Sequence, residues 1–307
     1  MKAVVVRHWG GSDAAVIEDF ERPQPGPGEL LVRVKATSIN PFDWSVREGY
    51  LQAYVGLPFM LGSDIAGTIE ALGEGVEGWQ VGTPVYGMKG LHGGGYAEYT
   101  TILPSDVSKK PETLSNEEAA SVPHAALTAW YSLFTNGNLQ AGQRVLIHAA
   151  AGGVGHFAVQ LAKWKGADVI GTASAHNEAF LRELGVDEFV DYTATPFETV
   201  VKDVDVVIDL VGYGTAERSL KILKKGGTLV CCVTVPPFEA AAQQGVDAKY
   251  VMGQSSAELL AEIARLIEAG QVKPHLQQVF PFDQIHEALA LSQTKHVRGK
   301  LAVTIAN

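Results

Sequence analysis

Cysteine is almost missing: of 307 residues only Cys231 and Cys232 carry a thiol, side by side in "GGTLVCCVTV". Neighbours along a strand point to opposite faces, so the pair is not expected to form a disulfide. Two cysteines also rule out a four-cysteine structural metal site, and buried thiols suit a reducing compartment. Positive charge is scarce as well. Against 34 Asp and Glu stand 24 Lys and Arg, a formal net charge of -10, with no basic block. A nucleic-acid-binding surface needs a positive footprint, so no nucleic-acid partner is expected. No run of about 18 apolar residues is present to span a membrane. The apolar stretch in "MKAVVVRHWG" is broken by Arg7 and is too short for a signal peptide. Internal repeats and low-complexity tracts are absent. A soluble cytoplasmic protein with no membrane partner is the expectation.

What is present is enough chain for two domains with cores of their own, at 46% hydrophobic content. In the first third, short β-type runs such as "KAVVV", "ELLVRVKATSI" and "DIAGTIEAL" are separated by turn signals, "PQPGPGE" and "GEGVEGWQVG" among them. That spacing predicts a compact β-rich domain or partial barrel. From Pro123 the rhythm changes. Apolar runs "RVLIHAA", "DVIGTA", "EFVDY", "VDVVIDLV" and "GTLVCCV" alternate with helical stretches "VGHFAVQLAKWKG", "NEAFLRELG" and "TAERSLKILKKG". Such alternation predicts a doubly wound parallel sheet of Rossmann type, and its near-continuous apolar strands fit a sheet covered on both faces. Near the end, "LQQVFPF" and "KLAVTI" resemble the early strands and are expected to return the chain to the first domain. The divisions read as 1–122, 123–258 and 259–307.

The stretch "HAAAGGVGHFAVQLAKW" places small residues at a strand-to-helix turn. Gly152 and Gly153 let backbone N–H groups approach an anion, and Gly155 lets the helix pack close to the strand. The helix dipole then faces the anion, and a pyrophosphate is the natural guest. Ala151 and Val154 complete the turn. The pattern is Ala150-x-Gly152-x-x-Gly155, with alanine in place of the first glycine, and a tight turn without a ligand is the alternative. Nineteen residues after Gly155, where NAD sites keep an acid for the ribose hydroxyls, stands Ser174. A serine can donate to a 2′-phosphate, with His176 and Asn177 as further donors, so the pattern leans toward NADPH. The alternative is that Ser174 caps the next helix.

"AAAGGVG", with "RPQPGPGELLVRVKATSINPFDW" upstream and "HVRGKLAV" downstream, resembles the medium-chain dehydrogenase/reductase superfamily. The similarity points to its zinc-independent quinone oxidoreductases, the zeta-crystallin-like group. It implies a GroES-like catalytic domain with an inserted Rossmann domain and a cleft between them. At the zinc-ligand positions of zinc-dependent relatives stand Asn40, Ser63 (followed by Asp64) and about His124, so no metal is expected. The resemblance places Asn40 near the nicotinamide ribose and substrate, Thr128 at the nicotinamide and Tyr192 near the adenosine phosphate. It sets Val211 and Gly212 along the cofactor groove and Lys300 close to the cofactor.

Bland alternatives accompany these roles: an Asx-turn residue at Asn40, a helix-start cap at Thr128 and a solvated strand-edge lysine at Lys300. Asn177 replaces the basic residue that many NADPH-using relatives carry after the Ser174 position. Tyr50 and Tyr54, in "REGYLQAYVG", read as aromatic lids or, for a tyrosine there, as a donor to a carbonyl oxygen. The implied activity is hydride transfer from NADPH to quinones or α,β-unsaturated carbonyls. A zinc-dependent alcohol dehydrogenase and a non-catalytic crystallin-like or RNA-binding protein are the rivals. "DAKYVMGQ" reads as the last strand of the Rossmann sheet, whose edge pairs in the family to make a homodimer.

Overall fold

Valine- and isoleucine-rich runs broken by glycine and proline build the first unit. Its strands are β1 (Lys2–Val6), β2 (Ala15–Asp19), β3 (Leu30–Ile39), β4 (Phe59–Met60), β5 (Asp64–Leu72), β6 (Pro84–Met88), β7 (Tyr99–Ile102) and β8 (Val107–Lys109). Helices α1 (Pro41–Arg47), α2 (Asn116–Ala120) and α3 (Pro123–Trp130) follow β3 and β8. The computed structural model describes residues 1–305. Within it the first unit comprises Met1–Leu127, Gln254–Gly270 and the chain from Pro274, and the second Thr128–Gly253 with Gln271–Lys273. The structural divisions therefore fall inside α3 and just after Gly253, against sequence expectations of 122/123 and 258/259.

The second unit alternates without interruption. Strands β9 (Arg144–Ile147), β10 (Asp168–Ala173), β11 (Glu188–Asp191), β12 (Val204–Asp209), β13 (Leu223–Cys231) and β14 (Asp247–Tyr250) are all parallel. Between them run α4 (Gly155–Lys165), α5 (Glu178–Glu183), α6 (Phe197–Val200), α7 (Thr215–Ser219) and α8 (Phe238–Gln243). Strand order is β11-β10-β9-β12-β13-β14, so the winding reverses between β9 and β12. In such sheets ligands bind beyond the carboxyl ends of the strands at that reversal. Leu146, Ile170, Val190, Val207 and Leu229 form the core, buried as strands covered on both faces must be. At the opposite end Arg144 ties three strands together, donating to Asp168 at 3.0 Å and Glu188 at 2.5 Å.

One expectation fails here. "TAERSLKILKKG" is helical only over Thr215–Ser219, and β13 already begins at Leu223. The β12–β13 pairing shifts register between Val204 and Val206, so the lysines sit in an irregular strand start.

The chain then forms α9 (Ala257–Glu268), β15 (Leu276–Pro281), α10 (Ile285–Gln293) and β16 (Lys300–Thr304). β16 pairs antiparallel with β3 and parallel with β15, which returns the chain to the first sheet, ordered β15-β16-β3-β5-β6-β8. Val4, Leu61, Phe280, Leu289 and Val303 pack in one core, and Leu30, Val34, Ile65, Val85 and Val107 in another. No described helix is long and apolar enough to cross a membrane.

Candidate functional site

The glycine turn joins β9 to α4 at the reversal point. A Cβ on Gly155 would lie 2.3 Å from the Ala149 carbonyl oxygen and 2.7 Å from Ala150 Cα, so only glycine fits. A Cβ on Gly152 would meet one atom, the same carbonyl oxygen at 3.2 Å, leaving its outer side open to a ligand. Alanine replaces the first glycine without strain because a glycine faces it: a Cβ on Gly171 of β10 would stand 3.1 Å from Ala150 Cβ. Helix α4 has no side-chain cap; its His156 N–H is taken by the Gly152 carbonyl at 3.1 Å, and the positive end of its dipole points at the Gly153–Gly155 turn, where an anion is favoured. His148, just before the turn, is a buttress. Its ring nitrogens lie 3.0 Å from the Thr172 and Ser219 hydroxyls, and burial pulls its pKa down to about 3, so it stays neutral.

Ser174 directly follows β10. Its hydroxyl does not cap the turn Ala175–Asn177; it lies 3.2 Å from His176 Nδ1 and accepts from Asn177 Nδ2 at 3.2 Å. Structure therefore gathers Ser174, His176 and Asn177 into one polar group and gives no support to the capping alternative. Tyr192, one residue past β11, donates its N–H to Ala173 and is exposed. A carboxylate also stands at this end of the sheet: Asp191, which accepts from the Thr193 N–H at 3.0 Å and hydroxyl at 2.7 Å. Those bonds hold its pKa below the ordinary carboxylate value.

Past β12, buried Asp209 accepts from the N–H groups of Val211 at 2.9 Å and Gly212 at 3.0 Å. It thereby shapes the loop that exposes Val211. Gly212 sits at φ +73°, and a Cβ there would stand 2.8 Å from Thr234. Thr128 is the sixth residue of α3 and buried, so it is not a helix-start cap; a Cβ on Gly253 would come within 2.5 Å of its hydroxyl. Cys231 and Cys232 are free thiols, pushed by burial to about 12 and about 11.

In the first unit, polar side chains gather where β3 ends and α1 begins. Asn40 is 2% exposed. Its Nδ2 donates to Asp64 Oδ2 at 2.8 Å, and its Oδ1 accepts from Lys300 Nζ at 2.5 Å. Lys300 also donates to the Ile39 carbonyl at 3.0 Å and lies 3.8 Å from Asp64 Oδ2. Asp64 accepts further from the Ser38 hydroxyl at 2.6 Å and the His124 N–H at 2.8 Å. Asp43 Oδ2 accepts from the Asn40 N–H at 2.7 Å and the Tyr96 hydroxyl at 2.6 Å. Burial pushes Asp43 up to about 7 and draws Lys300 down from its ordinary value. His124 Nδ1 lies 2.7 Å from the Ser63 hydroxyl, and burial pulls this histidine down to about 4.

Two alternatives fall with this geometry. Lys300 is no solvated strand-edge lysine: it is 3% exposed, because β16 is an interior strand between β15 and β3. Asn40 is not merely an Asx-turn residue, since its carboxamide spans Asp64 and Lys300. Tyr50, by contrast, is 75% exposed in the loop after α1, and Tyr54, four residues on, is 74% exposed.

Comparison with known proteins agrees with this architecture. A family model described as an alcohol dehydrogenase GroES-like domain matches residues 26–112, and one described as a zinc-binding dehydrogenase matches residues 184–303. The mitochondrial NAD(P)H oxidoreductase RTN4IP1 of Danio rerio is 32% identical, over 91% of this chain and 84% of its own. The chloroplastic NADPH-dependent alkenal/one oxidoreductase of Arabidopsis thaliana is 32% identical, over 99% of this chain and 79% of its own. A solved structure, the quinone oxidoreductase from Coxiella burnetii, matches with a TM-score of 0.95 at 35% identity, covering 100% of this chain and 99% of that one. The chain belongs to the medium-chain dehydrogenase/reductase superfamily, in its quinone oxidoreductase branch.

Membership raises the question of zinc, which the description of one matching family names. The donors present do not fit it. The Asn40 carboxamide is taken by Asp64 and Lys300, the Ser63 hydroxyl and His124 Nδ1 bond each other, and an ammonium stands beside the one carboxylate. Zinc sites are built from thiolate, imidazole and carboxylate, and among the described residues no three such groups converge. A nicotinamide dinucleotide does fit this member of the superfamily: the Gly152–Gly155 turn at the sheet reversal is shaped for its diphosphate.

Sequence reasoning missed Asp43, Tyr96 and Asp209, and Asp64 as the centre of its cluster. Only Asp43 left a signal, its spacing of three from Asn40 across Pro41, the pattern of a reciprocal helix cap.

Proposed function

We propose that the protein is a zinc-independent, NADPH-dependent reductase of quinones or α,β-unsaturated carbonyls. The observation that carries the reading is the pairing of a dinucleotide turn that only glycine at 155 permits with a metal-ligand position closed by the Asn40–Asp64–Lys300 contacts. When bound, the nicotinamide supplies a hydride to an electron-poor carbon. The chain's own part is binding and orientation. Backbone N–H groups of the Gly153–Gly155 turn, backed by the α4 dipole, hold the diphosphate, and the Val211–Gly212 loop, set by Asp209, lines the groove. Ser174, His176 and Asn177 receive the 2′-phosphate as hydrogen-bond donors, while Asp191 directs its charge to Thr193. Asn40 and Thr128 meet the nicotinamide end, with Lys300 behind Asn40, and Tyr192 flanks the adenosine. Tyr50 covers an apolar acceptor with its ring, and water supplies the proton.

Names of relatives support both halves of the reading, one being an NADPH-dependent alkenal/one oxidoreductase and another a quinone oxidoreductase. Oxidation of NADPH and NADH, followed against a panel of quinones and enones, tests it. A homodimer through β14 is part of the proposal: this strand is the free end of the sheet and half-exposes Tyr250, a surface that a second copy would cover. Light scattering at micromolar concentration checks it. The compartment proposed is the reducing cytoplasm, on the strength of two unbonded thiols.

A further inference from the structure

A lysine ammonium can only donate hydrogen bonds, and an ionised carboxylate can only accept them. Asn40 stands between one of each, its Oδ1 2.5 Å from Lys300 Nζ and its Nδ2 2.8 Å from Asp64 Oδ2. The carboxamide therefore has one orientation. Turning it over would set Oδ1 against the carboxylate and the amide hydrogens against the ammonium. Two charge-assisted bonds would become two repulsions, in a place where all three side chains are almost wholly buried. Asp64 cannot swing aside, because the Ser38 hydroxyl and the His124 N–H hold both its oxygens. Lys300 is pinned in turn by the Ile39 carbonyl. One Nδ2 hydrogen is used by Asp64, and the other is what Asn40 has to offer.

We propose that Lys300 and Asp64 are positioning residues that lock the Asn40 carboxamide as a donor, so that residue 40 recognises an oxygen acceptor on its ligand and rejects a donor. The inference rests on the reading, made above, that Asn40 meets the nicotinamide end. The acceptor is a neutral oxygen, of the substrate carbonyl or of a nucleotide ribose hydroxyl. A buried ion pair is often no more stable than an apolar filling of the same volume, and the lock gives this one a purpose.

Variants separate the layers. N40A tests the underlying reading: wild-type turnover and nucleotide affinity in N40A would mean that Asn40 touches neither ligand, and the proposal would fall with it. If N40A is impaired, K300M should lose about tenfold or more in the same parameter, and K300R, which keeps a donor, should recover most of it. The exchange N40D/D64N keeps carboxylate, carboxamide and ammonium together but leaves an acceptor at position 40. It should melt near the wild-type temperature and be as impaired as N40A. A loss in nucleotide affinity assigns the acceptor to the ribose; a loss in kcat/KM for the enone or quinone at saturating nucleotide assigns it to the carbonyl. Wild-type activity in the folded exchange variant, or in K300M while N40A is impaired, overturns the proposal. Should both variants unfold, the wild type decides. One of its two Asn40 side-chain amide protons, seen in 15N-labelled protein, should be shifted downfield by its bond to the Asp64 carboxylate and move back on D64N substitution, and two protons at unbonded shifts would overturn the lock.

Discussion

The Cβ that Gly155 lacks would stand 2.3 Å from the carbonyl oxygen of Ala149, whereas one added at Gly152 meets that oxygen at 3.2 Å. The two glycines therefore do different work, packing at 155 and room for a ligand at 152. Gly155→Ala should lower stability, within about 1–3 kcal/mol for a backbone clash of this kind, and weaken NADPH binding with it. Gly152→Ala should keep the melting temperature within a few degrees while raising the NADPH Kd about tenfold or more. Calorimetry and nucleotide titration of both variants check the division, and equal effects of the two would remove it.

Ser174 lies where an NAD enzyme keeps its acid, grouped with His176 and Asn177. Ser174→Asp should weaken NADPH binding and spare NADH. A phosphomonoester carries about -1.5 to -2 charges near neutral pH, and two unit charges about 4 Å apart interact by about 4 kcal/mol at an effective dielectric of 20. Ser174 is half-exposed, and solvent and salt reduce that to roughly 1–3 kcal/mol, or about 5- to 150-fold. Dissociation constants for both nucleotides check it. An unchanged NADPH-to-NADH ratio would take the cofactor preference away from Ser174.

Tyr50 presents its ring to solvent. As a cover for an apolar acceptor it needs the ring and not the hydroxyl, so Tyr50→Phe should keep kcat and Tyr50→Ala should raise the acceptor KM about three- to tenfold. A Tyr50→Phe variant that loses kcat tenfold would make the hydroxyl a proton donor.

Asp43 titrates near 7 in the folded protein and at the ordinary 3.8 when unfolded, because burial disfavours its charge. Between these values the folded state holds a proton that the unfolded state has lost. Its contribution to stability is thus fully present below about pH 4 and is lost as pH rises through 7. Asp43→Asn keeps an oxygen for the Asn40 N–H and Tyr96 hydroxyl but cannot titrate. From pH 5 to pH 8 the variant should gain roughly 2–3 kcal/mol relative to wild type in urea melts. A difference that does not change with pH would show that Asp43 keeps one charge state.

Local chemistry made the turn legible in the sequence. Gly152, Gly155 and the alternation around them are short-range patterns, and the structure places them at the sheet reversal. The helix expected over "TAERSLKILKKG" failed beyond Ser219 because pairing of Leu223 and the residues after it with β12 draws that segment into the sheet, which spacing along the chain does not show. The polar cluster was illegible for another reason. Asn40 meets Asp64 across 24 residues and Lys300 across 260, and only the pairing of β16 with β3 brings the lysine inside. Lys300 thus reads as a surface residue until its strand is seen to have a neighbour on each side. Asp209 was hidden within "VIDLVG", where a polar residue ending an apolar strand gives no hint of the two N–H groups it accepts.

The reaction proposed for this protein is reduction of an enone or quinone by NADPH with no metal. Its most direct test is the rate of NADPH oxidation across a panel of both acceptor classes, with protein dialysed against a strong chelator and its zinc content determined alongside. The expected result is turnover of at least one acceptor at a rate the chelator leaves unchanged, with well below one zinc per chain. No turnover of any acceptor by folded, NADPH-binding protein would exclude this reaction. So would activity that is lost with about one zinc per chain and restored by its return.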